Sequence, residues 1–181
     1  MGSTGTPTWT ITGTGATVWD CASAAGNLTI NSNTATIIFT AAITANRTIA
    51  LGTSKTTYNN ITIVDTGTNA GGFYTDVSIG TAVTIANLTI TAPITARFGN
   101  GTYTVTSLNS AGTSSQQSSF LPASGATPTI AITSASLSFT GFYGMTFTGS
   151  PTANNSFNFG HNTGITINGP SVGGGSHCIG C

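Results

Sequence analysis

The 181-residue sequence has no glutamate and almost no charge. Its carboxylates are Asp20, Asp65 and Asp76; its strong bases are Arg47, Lys55 and Arg97. Charged residues make up 3% of the chain, against roughly a quarter in ordinary soluble domains. Three scattered cations cannot drive the counterion release that nucleic-acid binding needs, so no nucleic-acid partner is expected. Net charge near zero leaves copies of the chain with little mutual repulsion. That is a liability for a free monomer and tolerable in an assembly. No run reaches the roughly 18 apolar residues of a membrane span, so no membrane partner is expected either. The opening "MGSTGTPTWTIT" shows neither the basic nor the apolar region of a secretion signal. The expectation is synthesis and release in the cytoplasm of the producing cell.

Helix signals are also scarce. Glu is missing, Lys and Leu are few, and no long stretch has a 3.6-residue period. What fills the chain is threonine, at 38 residues, a β-branched side chain suited to a pleated and half-buried surface. Short alternating segments recur at 8–12, 16–19, 27–30, 35–39, 47–51, 60–64, 83–85, 88–90, 94–98 and 102–106, with Gly, Asn and Pro between them. Asn27, Asn60 and Asn87 each stand just before such a segment, in "GNLTI", "NNITI" and "ANLTI". The unequal spacing excludes a strict repeat but suits rungs joined by loops of varying length. Asn favours turns, and in a solenoid such residues can also stack as ladders. "TAAITAN" at 40–46 is nearly copied by "TAPITAR" at 91–97, which reads as successive rungs with corners at Pro93 and Gly99–Asn100–Gly101. The pattern predicts an all-β chain, a β-solenoid of parallel β-helix type, with a β-sandwich or jelly roll as the alternative.

The organisation expected is a β body over 1–106, a loop or linker over 107–128 and a C-terminal β-strand region over 129–170. A flexible Gly-rich tail carrying Cys-x-x-Cys follows over 171–181. The stretch "SLNSAGTSSQQSSFLPASGATPT" is uncharged with little period, and an edge strand flanked by loops is a further reading of it. Beyond it the aromatics Phe139, Phe142, Tyr143, Phe147, Phe157 and Phe159 cluster. They read as packed core or a subunit interface, with a carbohydrate-stacking platform as the sharper alternative.

Chemistry-bearing residues are few. Glycoside hydrolysis wants two facing carboxylates, and the three Asp residues stand far apart. Asp65 reads as the cap of the turn "DTGTNAGG". A Ser or Cys nucleophile needs a positioned His, and the only two are His161, in a turn-like "FGHNTG", and His177. No catalytic residue and no cofactor is expected. The sharpest local motif is "HCIGC": His177, Cys178 and Cys181. These are three metal-ligand types, one short of a zinc set unless Cys21 or another subunit adds a fourth. Disulfides among Cys21, Cys178 and Cys181, and unoxidised thiols, are the competing readings.

Segments of the type "GTPTWTITGTGATVWDCASAAGNLTI", "TYNNITIVDTGTNAGGF", "ARFGNGTYTVTSLNSAGTSSQQSSF", "TPTIAITSASLSFTGFYGMTFTG" and "GHNTGITI" give the chain a family likeness. From about residue 7 to about 168 it resembles the Thr/Gly-rich β-helical structural proteins of tailed bacteriophages. "HCIGC" lies outside that pattern. The resemblance implies a non-enzymatic virion protein: a fibre, spike or capsid-decorating element, usually a homotrimer. Its partners would be other virion proteins such as the major capsid or tail proteins, with a host-surface glycan as a further one. Two alternatives remain at this point. One is a carbohydrate-binding or adhesion module, with Trp9, Trp19, Tyr74 and Tyr103 as candidate platform residues. The other is a subunit of a bacterial surface filament.

Overall fold

The structure is a computed structural model and describes residues 6–21, 34–52, 56–68, 72–79 and 82–170. Within these the chain forms 16 strands and no helix. In order they are β1 (Thr8–Ile11), β2 (Thr17–Asp20), β3 (Thr36–Ala41), β4 (Arg47–Leu51), β5 (Thr57–Asp65), β6 (Tyr74–Ile79), β7 (Ala82–Thr91) and β8 (Thr95–Phe98). The second half holds β9 (Gly101–Ala111), β10 (Ser118–Pro122), β11 (Pro128–Ser138), β12 (Thr140–Phe142), β13 (Thr146–Thr148), β14 (Thr152–Asn154), β15 (Phe157–Asn158) and β16 (Thr166–Ile167). All pairing is parallel. Sheet A runs β1-β3-β5-β7-β9-β11-β14-β16, with β13 also on β11; sheet B runs β15-β12-β10-β8-β6-β4-β2. From β1 to β12 alternate strands thus go to alternate sheets and each turn stacks on the one before, giving a parallel β-solenoid of about five turns. The expected fold class is the one observed.

The long strands of sheet A turn a corner. In β5, β7, β9 and β11 the register skips Asn59, Ala86, Thr106 and Thr133. The inward alternation changes phase at the same points: Val83 and Ile85 are buried, then Leu88 and Ile90; Tyr103 and Val105, then Leu108 and Ser110. Side chains in a straight strand keep one parity, so a change of parity marks a bend. Each of these turns therefore has three short sides. The segments 83–85 and 88–90 are two sides of the one strand β7.

Sequence decides where Asn and Ile stand. Thr36, Asn60 and Asn87 occupy one outward column just past this corner. Asn87 Nδ2 donates to Asn60 Oδ1 at 2.7 Å, and Asn60 Nδ2 donates to Thr36 Oγ1 at 3.0 Å. The expected Asn ladder is there for Asn60 and Asn87. The position before them belongs to Thr36, and Asn27 lies outside the described residues. The two near-copies occupy one corner in different turns, between β3 and β4 and between β7 and β8. Their central Ile43 and Ile94 are both buried there. Pro93 and the Gly99–Asn100 turn sit at corners as expected.

Residues 107–128 do not form a linker. They hold the second half of β9 and all of β10. Their hydroxyl-rich composition hides the inward set Leu108, Ser110, Ser118 and Phe120, each fully buried. Ser110 meets its need for a partner on Thr140, Oγ to Oγ1 at 3.0 Å. Inside the solenoid a chain of edge-on aromatics runs from Tyr103 to Phe98, Phe120, Phe142 and Phe147, with centroid separations of 5.3 to 5.7 Å. Such contacts contribute about 0.5–1.5 kcal/mol each beyond the area they bury.

Candidate functional site

The outer face of sheet B carries the chemistry. Along β4, β6, β8 and β10 one outward column reads Thr48, Asp76, Arg97, Leu121. A second reads Tyr74, Thr95, Ser119, Gly141, Phe157 along β6, β8, β10, β12 and β15. Strand alternation puts these residues out because their neighbours Val77, Ala96, Phe98, Phe120 and Phe142 go in.

Arg97 and Asp76 are register partners on adjacent turns. The guanidinium donates twice, Nε to Oδ1 at 2.7 Å and Nη2 to Oδ2 at 2.9 Å. Its central carbon lies 3.3 Å from the centre of the Tyr74 ring. The hydrogen bonds from Arg97 to Asp76 hold the guanidinium pKa above its ordinary value. Arg97 is therefore paired within the chain.

At the C-terminal end of the same face the aromatics surface. Phe159 is 58% exposed and Tyr143 is 42% exposed. The Phe157 and Phe159 rings are parallel to within 8°, with centroids 6.2 Å apart. The Phe159 ring lies over Gly141: a Cβ there would meet Phe159 Cε2 at 2.5 Å. His161 stands edge-on to Tyr143, centroids 5.4 Å apart, on a backbone held at φ 57°. The loop beneath is tied down by Asn162, whose Nδ2 donates to Phe142 O at 2.8 Å and to Asn158 Oδ1 at 2.9 Å. Asn162 Oδ1 accepts from Met145 N at 3.0 Å.

The aromatic cluster of 139–159 thus splits in two. Phe142 and Phe147 are core; Tyr143, Phe157 and Phe159 face out; Phe139 is half-buried at φ 48°. Of Trp9, Trp19, Tyr74 and Tyr103, the platform candidates read from the sequence, Tyr74 alone is on this face. Tyr103 is fully buried and donates to Val77 O at 2.6 Å, and burial pushes its hydroxyl pKa up. Trp19 packs edge-on against Phe39 in the core. Trp9 lies on the end strand β1, beside buried Ile37, and is 37% exposed.

The carboxylates do not converge. Asp65 is buried at the end of β5 in sheet A, and Asp76 faces out from sheet B. Asp65 Oδ1 accepts from Gly67 N at 2.8 Å and from Ile43 N at 3.1 Å, the turn-capping role its sequence suggests. Arg47 is buried, donating to Thr75 Oγ1 at 3.0 Å and Val64 O at 3.2 Å. Burial lowers its pKa and the nearby Asp65 charge raises it, burial being the larger effect. Cys21 is buried; His177, Cys178, Cys181 and Lys55 lie outside the described residues. Among the described residues no group of three or more His, Cys, Asp or Glu could hold a metal ion. An open cleft of about 360 Å³ lies between Ile132–Ala135 and Gly149–Thr152, with no titratable side chain in its lining.

These features define a parallel β-solenoid with one outward face bearing an ion pair and an aromatic cluster. Compared with known protein families, curated proteins and solved structures, the chain finds no match.

Proposed function

We propose that the chain is a non-enzymatic structural element of a bacteriophage particle. It assembles with copies of itself, in threefold symmetry, into a fibre, spike or capsid decoration. One observation carries this reading: the ionisable side chains in the middle of the body serve the scaffold itself. Arg47 is buried between turns, Asp65 caps a turn, and Asp76 and Arg97 pair with each other. The outward columns of β5, β7 and β9 are Thr, Ser and Asn, as in Asn60, Asn87 and Ser107 and in Thr62, Thr89 and Asn109. Such a surface presents few charges to desolvate when copies meet. The likeness in sequence to Thr/Gly-rich phage proteins points the same way.

The test is direct. Sedimentation of the purified full chain is expected to give a stable trimer, and antibody labelling of particles is expected to decorate virions. Copy number per particle then separates a capsid decoration from a tail fibre. A monomer at micromolar concentration that binds no virion component sinks the proposal.

A further inference from the structure

We propose that the C-terminal end of the outer face of sheet B binds a neutral carbohydrate, with Phe157 and Phe159 as the stacking surface. The inference is independent of the assembly reading and holds or fails on its own measurement.

The geometry is that of a built platform. Gly141 supplies the floor, because only a residue without a side chain lets the Phe159 ring lie against the sheet. Phe157 is the register partner of Gly141 on the next turn and sets the second ring beside the first. The rings are parallel and offset, with 6.2 Å between centroids. Phe159 keeps ring surface open to solvent and is the most exposed of the large apolar residues described. A single exposed apolar residue needs no explanation; parallel rings mounted on a glycine beside an exposed tyrosine do.

Three properties choose the occupant. The first is charge. Asp76 and Arg97, the charged pair on β6 and β8, neutralise each other, and Asp20 is on β2 at the opposite end of the sheet. Among the described residues, a phosphate or an acidic peptide therefore finds no Lys or Arg counter-charge beside the rings. The second is size. The apolar surface is a few rings with Thr95 and Ser119 on the same outward column, whereas a stable protein interface takes about 20–30 residues a side. It suits the C–H face of one or two sugar rings. The third is the rim. A sugar needs donors and acceptors around an apolar face. Phe159 N donates to Phe142 O, which sets Phe159 alongside Tyr143, and His161 stands edge-on to Tyr143, so the polar groups offered on this side are the Tyr143 hydroxyl and the His161 imidazole. The loop carrying them is fixed by the three Asn162 hydrogen bonds, so little ordering remains to be done on binding.

The experiment is titration calorimetry of the full chain against a panel of neutral oligosaccharides of the gluco, galacto and manno series. Binding by at least one series is expected. Phe159→Ala is expected to weaken it at least tenfold. Gly141→Ala keeps both rings but lifts one off the sheet, and is expected to weaken it several-fold. Trp9→Ala, at the far end, should leave it unchanged. The unfolding midpoint of each variant is measured alongside, so that loss of the platform is told from loss of the fold. No binding at millimolar sugar, or binding indifferent to both platform variants in folded protein, overturns the proposal. So does an oligomer that dissociates in Phe159→Ala, which would make the rings a contact between copies.

Discussion

The early turns of the solenoid and the late ones solve one problem at two widths. Asn60 and Asn87, stacked on successive turns, are 27 residues apart in sequence. Asn154 and Asn168 make the same side-chain bond only 14 residues apart. A wide turn has length to spare for its corners and fills its interior with aliphatic side chains such as Ile37, Ile61 and Ile63. A narrow turn must bend abruptly. All four described non-glycine residues with left-handed backbone, Phe139, Ser150, Asn155 and His161, fall in the narrow part. There the core holds Phe142, Phe147 and Met145, continuing the aromatic column that begins at Tyr103 and Phe98 in the wide turns. Tapering thus exchanges loop length for backbone strain, and the strained corner at His161 is also where the aromatic face is displayed.

The largest expected effect tests the two cores against each other. Phe142 is fully buried and touches the rings of Phe120 and Phe147; Phe39 is fully buried and touches that of Trp19. Truncating a buried Phe costs about 3–5 kcal/mol. Phe142→Ala should fall at the upper end of that range and Phe39→Ala lower, since one fewer ring contact is lost. Urea unfolding of both variants checks the order. Equal losses would mean that the aromatic column adds nothing beyond its buried area.

The corners come next. Gly149 has φ 96°, and a Cβ there would overlap the carbonyl oxygen of Ile132. Gly72 has φ 66° in an early corner with open space around it. Gly72→Ala should cost about 1–2 kcal/mol, the left-handed penalty alone. Gly149→Ala should cost about 2–4 kcal/mol, because the backbone must also move. The same denaturation measurement applies. A Gly149→Ala variant no worse than Gly72→Ala would show that the narrow turns have slack.

The sequence makes the wide turns legible and the narrow ones less so. Strands β3, β4 and β8 follow from alternating Ile, Phe and Ala, and the Asn60–Asn87 ladder from repeated "NITI" and "NLTI". Strand β6 is invisible to the same reasoning, because Asp76 interrupts "YTDVSI" and the ion-pair partner that makes it acceptable is one turn away. The spacing of Asp76 to Arg97, 21 residues, is close to one turn and is the signal that could have joined them. Residues 107–128 mislead for another reason: Ser110 and Ser118 face inward, and polarity alone marks them as loop. The outer aromatic face is half legible. Its residues cluster in the sequence, but which of them turn outward depends on Gly141, whose role appears only when Phe159 is seen lying on it.

A smaller effect bears on the ladders. Asn87→Ala removes the 2.7 Å bond to Asn60, and Asn168→Ala removes the 2.9 Å bond to Asn154. Each exposed hydrogen bond contributes about 0.5–1.5 kcal/mol. The two losses should match within error, since the bond is the same whatever the length of the turn. Double-mutant cycles with Asn60→Ala and Asn154→Ala isolate the coupling energy of each pair. Stronger coupling at Asn168 would mean that the narrow end depends on its ladder to stay closed.

The smallest effect concerns the ion pair, which lies on the wide turns. Its side chains are 23% and 24% exposed, so solvent screens much of the attraction. Asp76→Asn keeps the shape and one acceptor, and should cost no more than about 1 kcal/mol. Two consequences separate a local bond from a structural hinge. Raising salt should narrow the gap between Asp76→Asn and the parent, because screening weakens the attraction that the parent retains. Sugar binding at Phe159 should be unaffected, since the rings rest on Gly141 and Asn162 rather than on Arg97. A large loss of stability that ignores salt would instead assign Arg97 a packing role, its guanidinium plane holding Tyr74 against the sheet. In that case the wide turns would carry an outer clamp of their own, and their contrast with the narrow turns would extend beyond the corners.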